Sequence, residues 1–336
     1  MPPKAMALFS GGLDSILAMR LMREQGVEIT ALHILTPFFL YNPRRDQAAR
    51  QIASRLGVPI CVYPVAQDYM EIICHPQHGR GMGMNPCVDC RIFMYRIARS
   101  KMEEAGADFI FTGDVVGERP MTQRHHALRL IDREAGVQGL VLRPLSARLL
   151  PPTSAEEKGL IDRGRLLAIS GRSRAPQMSL AKKLGVDYYP SPGGGCLLTD
   201  ITFSPKIAEA LAHNESSIDD MHLLRYGRHY RLSDGARLAV GRRRLENRAL
   251  LGMARRGDFI LRIPEDLPGP TAVLRRFGSE ASIHLAAQIV AALSDLGGQG
   301  RVPVEIFPAR QPKKANMLYV KALPSLEVEN LRITSN

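Results

Sequence analysis

Ala5-Met6-Ala7-Leu8-Phe9-Ser10-Gly11-Gly12-Leu13-Asp14-Ser15-Ile16-Leu17 is the stretch that decides the fold of the N-terminal half. Residues 5–9 are an apolar run that reads as a buried strand, and Ile16, Leu17, Met19 and Leu21 recur at helical spacing immediately after the glycine pair. The order is therefore strand, tight turn, helix. Adjacent glycines let the backbone come close to a ligand, and the start of a helix turns unpaired N–H groups and the positive end of its dipole on an anion. Phosphate is the expected anion. The lysine of a GxxxxGKS/T loop does not follow these glycines, and the GxGxxG fingerprint is absent as well.

Working outward, Gly26 separates the first helix from a second buried run over residues 27–35, which completes a βαβ unit. A loop with proline and aromatic residues over 37–42, a helical pattern over 46–56, a short strand over 59–65 and a buried run over 107–112 continue the alternation. Such alternation implies a parallel, doubly wound α/β sheet that binds its ligands at the carboxyl ends of the strands. The glycine loop, His33 and Gly113-Asp114 fall at those ends. Asp114 suits either Mg-pyrophosphate binding or the capping of the next segment, and the His33 ring suits either a ligand or an ordinary half-buried position.

The chain has 336 residues, enough for two or three domains, with 45% hydrophobic and 23% charged residues. No apolar run is long enough to span a bilayer, and residues 1–12 lack the apolar core of a signal peptide, so a cytoplasmic protein is expected. In that compartment the five cysteines are expected as free thiols, redox groups or metal ligands. Net charge is +12, and residues 222–336 hold 19 Lys and Arg against 10 Asp and Glu. A basic C-terminal third of this kind favours a nucleic-acid partner, with a solvated, soluble surface as the plain alternative.

Two of the cysteines close the segment Asn85-Pro86-Cys87-Val88-Asp89-Cys90, just before a helical pattern over 91–102. A helix entry favours the thiolate form. The pair alone fits a redox dithiol, half of a zinc site or part of a cluster site. Cys196, behind Gly193-Gly194-Gly195, is the expected third partner, because consecutive glycines free the backbone to bring a thiol close. Three thiolates suit an iron–sulfur cluster with one open iron, whereas His75 and His78 would complete a zinc site. Cys61 reads as a core residue, and Cys74 has no assigned role. Arg119, Gln123, Arg124, His125 and His126 make a polar patch suited to RNA or ATP phosphate, or a plain exposed helix face. Ser170-Gly171-Arg172-Ser173-Arg174 is a second basic turn with the same phosphate logic.

The Ser10–Ser15 hexapeptide in its strand–helix setting resembles the PP-loop of the ATP pyrophosphatases, which cleave ATP to AMP and pyrophosphate to activate a carbonyl-type oxygen. Together with the Asn85–Cys90 segment it resembles the tRNA 2-thiouridine synthetases, and with Cys196 the iron–sulfur-dependent tRNA thiolases. The resemblance implies an adenine nucleotide alpha hydrolase-like domain. It implies ATP and Mg²⁺ at Ser10, Gly11, Gly12, Leu13, Asp14, Ser15, Gly113 and Asp114, with the adenine on the backbone of Leu32, His33 and Ile34. It further implies a 4Fe-4S cluster on Cys87, Cys90 and Cys196, with these cysteines and Asp14 in catalysis. The surroundings of Cys196, Gly-Gly-Gly-Cys-Leu-Leu-Thr, differ from the usual second-cysteine loop of the synthetases, as does the segment beyond the PP-loop domain.

Short helices are expected over 204–213 and 217–225. From residue 226 short strands are expected over 228–232 and 236–241, joined by Asp234-Gly235, a strong hairpin signal. A helix opening at Gly241-Arg242-Arg243-Arg244, strands over 258–263 and 271–274, a helix over 279–295 and strands over 302–307 and 317–320 complete a small α+β domain. Asp234-Gly235, Val240-Gly241-Arg242, Glu246-Asn247, Asp258 and Pro268-Gly269 resemble the NFACT-R RNA-binding module of ribosome-associated proteins, which implies RNA contacts at Arg228, Arg242, Arg243 and Arg244. The expected division is a catalytic domain over 1–205, a helical linker over 206–225 and an RNA-binding domain over 226–336. The function implied is ATP-dependent tRNA uridine thiolation, with tRNA and a sulfur donor as partners. Two alternatives stay open beside the cluster: transfer from a cysteine persulfide, and an RNA- or ribosome-binding factor whose nucleotide site gates binding.

Overall fold

A computed structural model describes residues 1–38, 43–189, 196–298 and 300–333. The loop over 39–42 and the run Gly193-Gly194-Gly195 lie outside the described residues. The chain divides into two compact units, Met1–Leu197 and Leu198–Asn336.

The first unit is built on five parallel strands, β1 (Lys4–Leu8), β2 (Glu28–Leu35), β3 (Ile60–Pro64), β4 (Phe109–Thr112) and β5 (Val141–Leu142), in the order β3-β2-β1-β4-β5. From β1 the chain first builds outward through β2 and β3, then returns to the other side of β1 to add β4 and β5. The strand order therefore reverses between β1 and β4, and helices pack on both faces. Alternate positions serve the two faces. Ala5, Ala7, Ile29, Ala31, Phe109 and Phe111 join a core with Ile16 and Leu17 of helix Leu13–Glu24, Ala49 and Ala53 of helix Pro43–Arg55, and Ala181 of helix Ala175–Lys183. Met6 and Ile110, buried on the alternate positions, belong to strands that pack against helix Cys87–Glu104. The expected α/β sheet is thus present, and β5 adds a short strand that too little apolar sequence announces.

The second unit is an antiparallel sheet of β6 (Arg228–Arg231), β7 (Arg237–Val240), β8 (Phe259–Arg262), β9 (Thr271–Arg275), β10 (Arg301–Pro308) and β11 (Asn316–Lys321), ordered β11-β10-β8-β9-β7-β6. The β6–β7 hairpin turns at Asp234-Gly235, where Gly235 has φ +85°. Leu238, Leu261, Leu274 and Val304 face helix Glu280–Ala292, while Ala239, Ile260 and Val273 share the other core with Leu250 of helix Arg244–Met253. Arg237 and Arg275, direct cross-strand partners, are each 1% exposed. Their charges are met by Glu209 and Glu215 on one side and by Asp220 and Asp258 on the other. Glu209 and Asp220 sit on helices Ser204–Ala212 and Ile218–Leu223, so the stretch read as a linker over 206–225 is carried in the second unit by buried ion pairs. Among the described residues no helix is long and apolar enough to cross a membrane.

Candidate active site

The glycine loop leaves the end of β1 and starts helix Leu13–Glu24 at the point where the sheet order reverses. Gly11 has φ +74°, the left-handed region that favours glycine, and a Cβ there would stand 3.3 Å from that of Ala49. Gly12 is the N-cap and no side chain caps the helix start. Its first-turn N–H groups are therefore left for a ligand or solvent. Ser10 Oγ accepts the Gly12 N–H at 3.3 Å and lies 3.3 Å from Ser15 Oγ, which donates to the Gly12 carbonyl at 2.8 Å. Both hydroxyls thus border the turn. Gly113, beyond the end of β4, packs directly on this loop: a Cβ there would lie 2.5 Å from the Asp14 carbonyl carbon and from the Ser15 nitrogen.

Asp14 carries one buried carboxylate oxygen, Oδ1, without a partner among the described residues, and its Oδ2 stands 4.0 Å from Arg174. Burial raises its pKa, opposed by the guanidinium groups of Arg174 and Arg119. Glu118 shares this field: burial raises its pKa first and the Asp14 charge second. Sequence reasoning missed Glu118, since one glutamate in a loop carries no signal. Asp114, expected either to bind Mg-pyrophosphate or to cap the following segment, has both carboxylate oxygens engaged by side chains. Its Oδ1 accepts from Arg91 at 2.7 Å and from Gln123 at 2.9 Å, and its Oδ2 from Tyr95 at 2.7 Å. Burial by itself would raise its pKa, but Arg91 and then Arg143 hold it well below the usual carboxylate range. It is an anchor that fixes Arg91.

His33 Nδ1 lies 2.8 Å from the Phe9 carbonyl, and the Phe9 N–H donates to the Leu32 carbonyl at 2.9 Å. The ring therefore braces the entry to the loop, with Leu32 and Ile34 buried beside it. The polar patch is divided. Gln123 turns inward to Asp114, whereas His125, His126 and Arg129 line a separate cavity of about 660 Å³ that none of residues 10–15 enters.

Cys87 is the first residue of helix Cys87–Glu104, so the cysteine pair occupies the opening turn. Asn85, itself buried, donates to Cys87 Sγ at 2.7 Å. Asp89 accepts from the Gln77 and His78 N–H groups and pairs with the His78 ring at 2.9 Å, which engages that histidine structurally; His75 is exposed. The expected thiolate preference is reversed by burial, which pushes Cys87 up against the opposing effects of Asn85, Arg119 and Arg91. Cys90 is pushed up to about 11 by burial, against the hydrogen bond from Tyr69. Desolvation of the thiolate outweighs the helix dipole at both. Cys61, expected in the core, is half-buried because β3 is an edge strand.

Tyr69, for which the sequence carries no signal, is the centre of the thiol group. Its hydroxyl lies 3.1 Å from Cys90 Sγ, and its ring packs between those of Phe38 and Phe93. Its pKa is raised well above normal by burial, then by Cys90, with a further contribution from Cys196. Cys196 comes there because the Leu197 N–H donates to the Phe38 carbonyl at 2.7 Å. Three thiols and no imidazole are the donor set of an iron–sulfur cluster. Among the described residues no three His, Cys, Asp or Glu side chains stand close enough to hold a single metal ion.

In the second unit Arg242, Arg243 and Arg244 are exposed at the start of helix Arg244–Met253, with Arg242 paired to Glu246 at 2.6 Å, while Arg228 is half-buried on β6. Cations at a helix N-terminus oppose its dipole, so their placement is not explained by helix stability. Lys206 is pushed down to about 8, by burial and then by Arg242, Arg332 and Arg237. This is positive charge held together, which suits a polyanion.

Residues 2–148 match the family model described as thiamine biosynthesis protein (ThiI), and residues 227–332 match that of the NFACT protein RNA binding domain. The tRNA-specific 2-thiouridylase MnmA of Roseiflexus sp. (strain RS-1) is 26% identical over 136 residues, covering 37% of this chain and 36% of that protein. The chain thus spans about a third of the length of that relative. A 4-thiouridine synthetase in complex with RNA and bound ATP is similar at 22% identity and TM-score 0.41, covering 66% of this chain and 52% of the other. The U34-tRNA thiolase NcsA of Methanococcus maripaludis, with its 4Fe-4S cluster, is similar at 17% identity and TM-score 0.34, covering 66% of this chain and 70% of the other. The chain is therefore similar over residues 2–148 to the ThiI family and over residues 227–332 to the NFACT RNA-binding domain.

Proposed function

We propose that this protein is an ATP-dependent tRNA uridine thiolase of the cytoplasm. One line of contacts carries the reading. Cys90 is followed by Arg91, Arg91 holds Asp114, and the adjoining Gly113 rests on Asp14 and Ser15. Arg119 acts on both Asp14 and Cys87. A phosphate-binding turn and buried thiols thus share one electrostatic neighbourhood, in a chain that also carries an RNA-binding domain.

In this reading the N–H groups of residues 10–15 and the Ser10 and Ser15 hydroxyls hold the ATP phosphates with Mg²⁺, Asp14 orients the ion, and the backbone of residues 32–34 meets the adenine. A uridine carbonyl oxygen attacks the α-phosphorus, and the bond to the bridging oxygen breaks to release pyrophosphate. Hydrosulfide then adds to the activated base carbon. AMP leaves with the former carbonyl oxygen, and the S–H proton passes to solvent as the thiocarbonyl forms. Arg119 and Arg174 offset the charge of the phosphates. Cys87, Cys90 and Cys196 would hold a 4Fe-4S cluster, whose open iron supplies a binding point for sulfide. The exposed arginines of the second unit bind tRNA phosphate, which provides affinity and register more than sequence reading.

The test is anaerobic reaction of the full chain with tRNA, ATP, Mg²⁺ and sulfide, followed by mass spectrometry of the nucleosides. The wild type yields a thiouridine, and Cys196→Ala yields none while still binding tRNA. Thiolation by a colourless, iron-free protein would remove the cluster from the reading and leave hydrosulfide to add to the activated base directly, and no thiouridine at all would refute the proposal.

A further inference from the structure

A second helix start meets the glycine loop. Helices Leu13–Glu24 and Ala175–Lys183 lie side by side and run the same way. At their beginnings Arg174 stands 4.0 Å from Asp14, and toward their ends Arg20 donates to the Leu184 carbonyl at 3.2 Å. Neither N-cap residue caps its helix with its own side chain, although the Ser173 hydroxyl accepts the Ala175 N–H at 3.3 Å. Two positive dipole ends and the Arg174 guanidinium meet here, and the Asp14 carboxylate offsets only part of that positive field. The turn before the second helix is fixed there by the sheet: Ser170 bridges Val116 in parallel, and the Gly171 N–H donates to the Val116 carbonyl at 2.8 Å. It therefore prolongs the exit of β4, the strand that also delivers Gly113 to the loop.

Gln177, in the first turn of the second helix, supplies the independent observation. It is 0% exposed, yet neither its Oε1 nor its Nε2 has a partner among the described residues. Buried amides almost always find partners, and one left without them is costly. Helical side chains tilt back toward the N-terminus, so this amide is directed to the Arg174 end of the helix. At that end Asp14 Oδ1 and Arg174 Nε are likewise buried without partners.

We infer that Arg174 and Gln177, together with the first turn of helix Leu13–Glu24, form the seat of the pyrophosphate end of ATP. The Arg174 guanidinium neutralises the diphosphate, and Gln177 Nε2 donates to one of its oxygens. The inference rests on reading the glycine loop as an ATP site and adds the residues that select a diphosphate over a monophosphate. Both residues lie between the two matched segments, so neither family model assigns them.

Isothermal titration of the full chain with Mg-pyrophosphate and, separately, with AMP tests it on Arg174→Gln and Gln177→Leu. Each variant should lose about tenfold or more in pyrophosphate affinity, the size of one lost hydrogen bond to a charged group, with AMP affinity within about twofold of wild type. Gln177→Leu should also melt at or above the wild-type temperature, since it removes an amide that has no partner in the free protein. Unchanged pyrophosphate affinity, equal losses for both ligands, or a lowered melting temperature for Gln177→Leu would overturn the inference. A wild type that binds neither ligand would overturn the ATP reading and the inference with it, whereas a wild type that binds both while the variants match it overturns the inference alone.

Discussion

Asp114→Asn separates an anchor from a ligand. The substitution keeps the shape of the side chain but removes the charge that meets Arg91 at 2.7 Å and lies 4.0 Å from Arg143. The Arg143 side chain is 5% exposed, and that of Arg91 is 24% exposed. Arg143 keeps Asp132 at 2.6 Å, so the loss falls mainly on Arg91. Breaking a buried pair by removing one partner costs about 3–5 kcal/mol. In a unit of this size that lowers the melting temperature by ~6–20 °C. The pH dependence follows from the sign of the shift. The folded carboxyl sits below its unfolded value of about 3.9, so its contribution is complete above about pH 5 and is lost as pH falls toward the folded value. Calorimetry from pH 3 to 8 should show a wild type that loses stability on the acid side and a variant that starts lower and loses less. A variant that melts within about 2 °C of wild type at pH 7 would refute the anchor, as would one that melts normally and loses only ATP affinity.

Gly113→Ala places a methyl 2.5 Å from the Asp14 and Ser15 backbone, so it should cost at least ~1–3 kcal/mol and weaken ATP binding, read by melting and titration. Gly26→Ala, whose Cβ meets nothing within 4 Å, is the matched control and should leave ATP affinity unchanged despite φ +78°. Tyr69→Phe removes the hydroxyl that favours the Cys90 thiolate, so Cys90 should be alkylated by iodoacetamide more slowly at a given pH. Arg243→Gln and Arg244→Gln should each weaken tRNA binding with little dependence on sequence and reduce the slope of log affinity against log salt by about one.

What the sequence made legible was local. A glycine pair between an apolar run and a helical pattern specifies its own turn, and the Asp234-Gly235 hairpin does the same, because the required backbone conformations are set by neighbouring residues. Side-chain roles that depend on distant partners were not legible. Asp114 reads as a free strand-end carboxylate until Arg91, Tyr95 and Gln123 close around it. The cysteine pair reads as thiolates at a helix entry, but burial, which a spacing pattern does not contain, reverses the balance. Tyr69 has no motif at all, since its place among Cys90, Cys196 and Phe38 arises from packing of three separate segments. Glu209, Glu215 and Asp220 look like surface charges of a linker until Arg237 and Arg275 prove to be buried between strands and helices.

In the proposed function this loop cleaves ATP at the α-phosphorus to activate an RNA base. Following α-labelled and γ-labelled ATP with the full chain, with and without unmodified tRNA, tests it most directly. AMP and pyrophosphate should appear in equal amounts, only when tRNA is present, and be matched one to one by thiouridine when sulfide is supplied. ADP and phosphate as products, or cleavage at the same rate without tRNA, would contradict it.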